Sequence, residues 1–138
     1  MKKDDCIFCK IAAGEIPSRK IYEDKDLIAI MDLNQTSKGH SLIIQKEHCT
    51  NIYDIDEDIA AKVMKTAKKL ATKMTVALNC DGFNLLQNNG ETAGQTMFHF
   101  HMHLIPRYKD ADNNMLKFTS VSFSDEEMDA IREQIIKD

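Results

Sequence analysis

His99-Phe100-His101-Met102-His103-Leu104-Ile105 alternates imidazoles with large apolar side chains along its whole length. An extended strand has a period of two, so the three histidines share one face while Phe98, Phe100, Met102 and Leu104 point to the other. The spacing predicts a strand over Met97 to Ile105, stopped by Pro106, with its apolar face sealing a core and its imidazole face lining a pocket. Three of the chain's five histidines lie in this row. Imidazole attacks phosphorus, donates to phosphoryl oxygens and passes protons near neutral pH, so such a row suits a phosphoryl group. Ligation of a single metal, or a merely polar strand face, is the plainer reading of the same residues.

Working upstream, Gly94-Gln95-Thr96 enters the strand and Asn88 to Gly94 reads as a polar loop that offers amide, hydroxyl and backbone donors. Gly82 to Leu86 reads as a strand before that loop. From Asp56 to about Met74 the spacing turns helical, with Ile59, Val63, Ala67, Leu70 and Met74 on one stripe. Asp56, Glu57 and Asp58 suit the start of this helix and Lys68, Lys69 and Lys73 its last turns. Further upstream, Lys20 to Tyr22, Leu27 to Met31 and Ser41 to Gln45 read as short strands, with Glu23 to Asp26 as a turn. Ile7 to Ile16 reads as a short amphipathic helix ended near Gly14 and Pro17. Downstream, Lys109 to Phe123 fits a strand, an arm or a loop. A final helix follows Ser124, with Glu127 as capping-box partner and Met128, Ile131 and Ile135 on one side. Strands interrupted by one long helix make an α+β fold, an antiparallel sheet packed on that helix.

The 138 residues, 43% of them hydrophobic, are the size of one domain, spanning 1–138. With 18 Lys plus Arg against 22 Asp plus Glu the net charge is -4. That supplies no general basic field for nucleic acid or an anionic membrane, though a small phosphate-bearing ligand remains compatible. No run of residues approaches a membrane span, and Met1-Lys2-Lys3-Asp4-Asp5 leads into no signal-peptide core. A cytoplasmic location is the expectation. Four cysteines are too few for a secreted disulfide scaffold, and Cys6-x-x-Cys9 offers half a tetrahedral metal shell or a redox pair. Cys49 and Cys80 share no such spacing.

Together these motifs resemble the histidine triad family of nucleotide-binding proteins. The resemblance runs from Cys6-Ile7-Phe8-Cys9-Lys10-Ile11 through Ile30-Met31-Asp32, Gly39-His40-Ser41-Leu42-Ile43-Ile44 and Lys46-Glu47-His48. It continues through Asn88-x-Gly90 and Gly94-Gln95-Thr96 to the His-x-His-x-His strand. It implies a HIT-like fold and, in its nucleoside phosphoramidase branch, hydrolysis of purine nucleoside monophosphate conjugates. His101 would then be the nucleophile, His40 would orient its other nitrogen, and His103 would contact phosphoryl oxygens. A third histidine, where nucleotidyl-transferase relatives carry glutamine, favours hydrolysis. Asn88 and Thr96 match phosphate or leaving-group contacts, Asp32 a ribose contact, and Ile7, Phe8, Ile11 and Ile30 an apolar clamp on the purine.

The resemblance further implies a structural zinc held by Cys6, Cys9, His48 and His99, as in a bacterial branch of the family, and a two-fold homodimer. Diadenosine polyphosphate hydrolysis and a nucleotide-binding regulatory or interaction role are the competing functions. The C-terminal part departs from the phosphoramidase relatives: the chain has no Trp, and Asn113 to Phe118 plus a terminal helix stand where those relatives carry an aromatic-rich segment.

Overall fold

Alternation and helical periodicity translate into five strands, three α-helices and a single 3-10 turn at Glu91–Ala93 in the computed structural model, which describes residues 3–111 and 117–138. Of the Asn113 to Phe118 segment, 113–116 lie outside the described residues. In chain order the elements are α1 (Ile7–Ala12), β1 (Lys20–Glu23), β2 (Leu27–Met31), β3 (Ser41–Gln45), α2 (Glu57–Leu78), β4 (Gly82–Leu86), β5 (His101–Arg107) and α3 (Asp125–Ile136). All neighbouring strands run antiparallel, in the order β1-β2-β3-β5-β4. The expected α+β architecture is therefore the observed one.

The period of two sorts the sheet into two faces. Leu27 and Ala29 of β2, Ile43 of β3, and Met102 and Leu104 of β5 pack with Val63, Ala67, Leu70 and Met74 of α2. The intervening positions Ile28, Ile30, Leu42 and Ile44 face the other way and gather around Phe8 of α1. Ile44 is opposite His101 and Leu42 is opposite His103, so both histidines lie on the α1 face. One face thus holds the fold against the long helix. The other carries His101 and His103.

The ends of the elements differ from the expected ones for local reasons. Strand β5 starts at His101, and Phe98 before it is half-exposed instead of joining the core. Pro106 does not stop β5. It pairs with Phe83 of β4, while the β3 ladder has already ended at the Ser41 and Leu104 pair. The missing N–H therefore interrupts no bond to β3, and Ser37 Oγ donates to the Pro106 carbonyl at 2.5 Å.

Helix α2 is capped by Asp56, whose carboxylate accepts from the N–H groups of Asp58 and Ile59. It runs a turn beyond Met74 and closes on Asn79 in the left-handed conformation, φ 54°. The lysines expected in its last turns lie earlier; none falls in the last turn. Helix α3 has the predicted capping box of Ser124 and Glu127, but none of its residues is buried and Met128, Ile135 and Ile136 stay exposed. Among the described residues, no helix is long and apolar enough to cross a membrane.

Candidate active site and metal cluster

Two residues apart on one strand, His101 and His103 acquire opposite hydrogen-bonding characters from the main chain around them. Nδ1 of His101 lies 2.8 Å from the carbonyl oxygen of His99. A carbonyl can only accept, so Nδ1 carries the proton and Nε2 keeps its lone pair. On the other side of the sheet seam, the Thr36 N–H donates to His40 Nδ1 at 3.1 Å. That nitrogen is therefore bare, the His40 proton resides on Nε2, and it is donated to His103 Nδ1 at 2.9 Å. His103 must then carry its own proton on Nε2. A lone pair and an N–H donor stand side by side, with ring centroids 5.0 Å apart.

The expectation that His40 holds the second nitrogen of His101 is thus corrected: the carbonyl of His99 does so, and His40 sets His103. No side-chain reading of the sequence signals a backbone acceptor. Burial pushes His101, His103 and His40 below the ordinary imidazole pKa, His103 to about 4. All three rings are neutral at pH 7, the state in which these tautomers have meaning.

His99 turns its ring away from this pair, into the N-terminal cysteines. Its Nε2 donates to the Gln45 carbonyl, so Nδ1 is bare. That nitrogen lies 3.3 Å from Cys6 Sγ, 3.4 Å from Cys9 Sγ and 3.1 Å from His48 Nδ1. Cys9 Sγ is also 3.4 Å from His48 Nδ1. A tetrahedron built on bond lengths of about 2.3 Å to sulfur and 2.0 Å to nitrogen has edges of roughly 3.3 to 3.8 Å. The four donors converge close to that spacing, all within 4.8 Å of one another.

Burial holds His48 and His99 below the usual imidazole range, His99 to about 4, which keeps both in the neutral ligating form. The same burial raises the Cys9 thiol, so ligation there must displace a proton. The cluster can coordinate a metal, with Cys6 also capping α1 by accepting from the Cys9 N–H. Asp32, His40 and His103 also approach one another, but they make no comparable cradle. A cation there would need the His40 Nε2 lone pair, and the Thr36 N–H forces the proton onto that nitrogen.

The remaining predicted residues divide. Phe8 packs edge-on against both His99 and His101, with centroids 5.9 and 5.0 Å away, and so bridges the cluster and the histidine pair. Ile30 joins Phe8 in one apolar group, with Ile11 against it, whereas Ile7 is half-exposed. Asp32 stands at the end of β2 with one carboxylate oxygen 3.6 Å from His40 Nε2 and the other accepting from the Asn34 N–H. Asn88 Nδ2 donates to the Gly94 carbonyl across its loop. Thr96 lines a cavity of about 330 Å³ with Ile7, Met97, Cys6 and His48, beside the cysteine cluster.

Gln95 is buried and fully engaged. Its Oε1 accepts from Gly90 N–H and Asn51 Nδ2, and its Nε2 donates to the Thr50 and Met97 carbonyls. It therefore ties the loop to the segment that carries His48 and has no donor left for a phosphate oxygen.

The molecule is thus an antiparallel α+β fold with paired histidines and a two-cysteine, two-histidine cluster on the side of the sheet opposite the long helix. The HIT domain model matches residues 13–110, and the chain belongs to the HIT family. It is similar to adenosine 5'-monophosphoramidase hnt1 of Schizosaccharomyces pombe, 37% identical over 130 residues that cover 94% of this chain and 95% of that one. SMU.412c from Streptococcus mutans UA159 superposes with a TM-score of 0.93 at 41% identity, covering 99% of this chain and 86% of that one. A zinc-bound histidine triad family protein from Mycobacterium smegmatis superposes at 0.75 with 31% identity, covering 93% and 91%.

Proposed function

We propose that the chain hydrolyses purine nucleoside 5'-monophosphate conjugates, phosphoramidates in particular, through a nucleotidyl-His101 intermediate. The observation that carries this is the pair of opposed tautomers, a bare Nε2 on His101 beside an Nε2–H on His103. Nε2 of His101 attacks the α-phosphorus, and the P–N bond breaks as the amine leaves with its electron pair and takes a proton from solvent water. The new N–P bond makes the imidazole cationic, and the His99 carbonyl then accepts a stronger, charge-assisted bond from Nδ1–H. Water attacks phosphorus next and gives up a proton to solvent, matching the one the amine took; the N–P bond breaks, its electron pair returns to Nε2, and the nucleoside monophosphate departs with neutral His101 restored.

Throughout, the His103 N–H donates to a phosphoryl oxygen as charge builds there. Asp32 receives ribose hydroxyls, Asn88 and Thr96 contact the phosphate or leaving group, and Ile7, Phe8, Ile11 and Ile30 flank the purine. The phosphoramidase activity named for the fission yeast relative supports this reading.

The metal is a structural zinc. Four protein donors leave no open position for a substrate, and the zinc-bound relative from Mycobacterium smegmatis supports the assignment. Bound there, zinc supplies a fixed link between α1, the His48 segment and residue 99. The functional unit is a homodimer, a reading supported by the exposed apolar residues of the C-terminal arm and α3, Phe118, Val121, Met128 and Ile135 among them.

Comparison of turnover on an adenosine phosphoramidate, adenylated lysine and a diadenosine polyphosphate, with mass detection of a nucleotidylated chain, tests the function. Turnover of the amidates with label on His101 is the expected result. Turnover of the dinucleotide alone would give the assignment to polyphosphate hydrolysis, and binding without any turnover would make the chain a nucleotide-binding regulator.

A further inference from the structure

We infer that Gln35 is a positioning residue that fixes the tautomer of His103 through the loop joining β2 to β3; the consequence for turnover rests on the proposed function, the tautomer itself does not. The loop runs from Asp32 to His40. Its ends meet where the Asp32 N–H donates to the His40 carbonyl at 2.9 Å. Inside it, the single carboxamide of Gln35 spans both ends. Oε1 accepts from the Gly39 N–H at 2.8 Å, while Nε2 donates to the His40 carbonyl at 2.8 Å and to the Asp32 carbonyl. Thr36, the next residue, is thereby held with its N–H on His40 Nδ1 at 3.1 Å.

That backbone bond is the direct hydrogen bond on His40 Nδ1 that sets where two protons sit. With it, His40 is bare at Nδ1 and donates from Nε2, and His103 presents N–H to the substrate side. Without it, His40 Nδ1 is free to take the proton, only the Asp32 carboxylate at 3.6 Å still favours Nε2–H, and the 2.9 Å contact can reverse, with His103 Nδ1 donating to His40 Nε2. His103 would then turn a lone pair toward a phosphoryl oxygen, which repels instead of stabilising. Within the pair both arrangements keep the bond; the loop breaks the tie, and the Asp32 carboxylate, 3.6 Å from His40 Nε2, favours the same tautomer across a longer gap. Nothing on His40 or His103 themselves does so, because burial keeps both neutral and each neutral imidazole has two tautomers of similar energy.

The carboxamide is needed in full. Gln35→Ala removes all three bonds, and Gln35→Glu keeps the acceptor for Gly39 but sets a carboxylate oxygen against two carbonyls. The test uses the full chain, labelled with 15N and read by long-range imidazole correlation at pH 7.5, beside steady-state kinetics on adenosine phosphoramidate and each diastereomer of its α-thio analogue. In the parent chain His103 is protonated at Nε2, and sulfur in the position facing it slows turnover because sulfur accepts poorly.

In both variants the His40 and His103 nitrogens are expected to shift toward the reversed tautomers. The kcat should fall about ten-fold or more, as for loss of an oxyanion donor, with KM nearly constant and a smaller sulfur penalty. Parent-like imidazole spectra in both variants would overturn the inference. So would shifted spectra with an equal loss on the oxygen and sulfur substrates. Should the parent chain turn over neither substrate, the proposed function fails, and the spectra alone still decide whether Gln35 sets the tautomers.

Discussion

The carbonyl of His99 accepts from Nδ1 of His101 at 2.8 Å while the ring of the same His99 converges with Cys6, Cys9 and His48. One residue therefore serves two centres, its side chain in the cysteine cluster and its main chain behind the proposed nucleophile. Phe8 packs edge-on against both rings and leaves little room for one to move alone. The cysteine cluster and the ring of His101 are thus linked through a single peptide unit.

Loss of the metal should accordingly loosen the N-terminal helix and the segment before β5. Cys9→Ser is expected to take metal content from one ion per chain to near zero, measured by elemental analysis of the purified protein. A cost of about 2 kcal/mol would lower the unfolding midpoint by roughly 5–10 °C in a domain of this size. Retention of full metal content by the variant would remove Cys9 from the ligand set.

His101→Ala should abolish the covalent intermediate and lower phosphoramidate turnover by about a thousand-fold or more, since a nucleophile has no substitute in the site. Metal content, fold and nucleotide affinity should persist, because His101 lies outside the cysteine cluster and on the face away from α2. Unchanged hydrolysis would assign the attack to another group.

Burial lowers the pKa of His101 and takes that of His103 to about 4, which fixes the direction of two pH effects. The neutral, reactive ring of His101 persists into mildly acidic solution, so the acid limb of kcat/KM should lie below pH 6.5, the ordinary imidazole value. For stability, the unfolded chain binds a proton at His103 that the folded chain refuses, between about pH 6.5 and 4. Stability should therefore fall as pH drops through that window and level off below it, as urea titrations at pH 7, 5.5 and 4 would show.

Gly39, just before His40, has φ +95°, and a Cβ there would meet Leu78 Cδ1 at 2.5 Å. Gly39→Ala should cost about 1–3 kcal/mol from backbone strain alone. It should also disturb His40, so urea denaturation and the His40 imidazole signals are expected to change together. A stability loss with untouched His40 signals would separate the turn from the site.

The alternation of residues 99 to 105 and the helical stripe of α2 determined the sheet, its two faces and the class of fold, because strand and helix periods are local properties of the chain. The donor set Cys6, Cys9, His48 and His99 was legible in the same way, from residue types and a resemblance in motif, as were the capping box of α3 and the placement of His101 and His103 together. Tertiary structure alone decided which partner each imidazole faces. Strand pairing set His101 opposite Ile44 and His103 opposite Leu42. The carbonyls of His99 and Gln45 and the N–H of Thr36 then fixed where each proton sits. Every residue but proline has the same main-chain groups, so their aim is invisible until the chain is folded. Here that aim determines which imidazole nitrogen carries a lone pair and which carries a proton, the difference on which the proposed function rests.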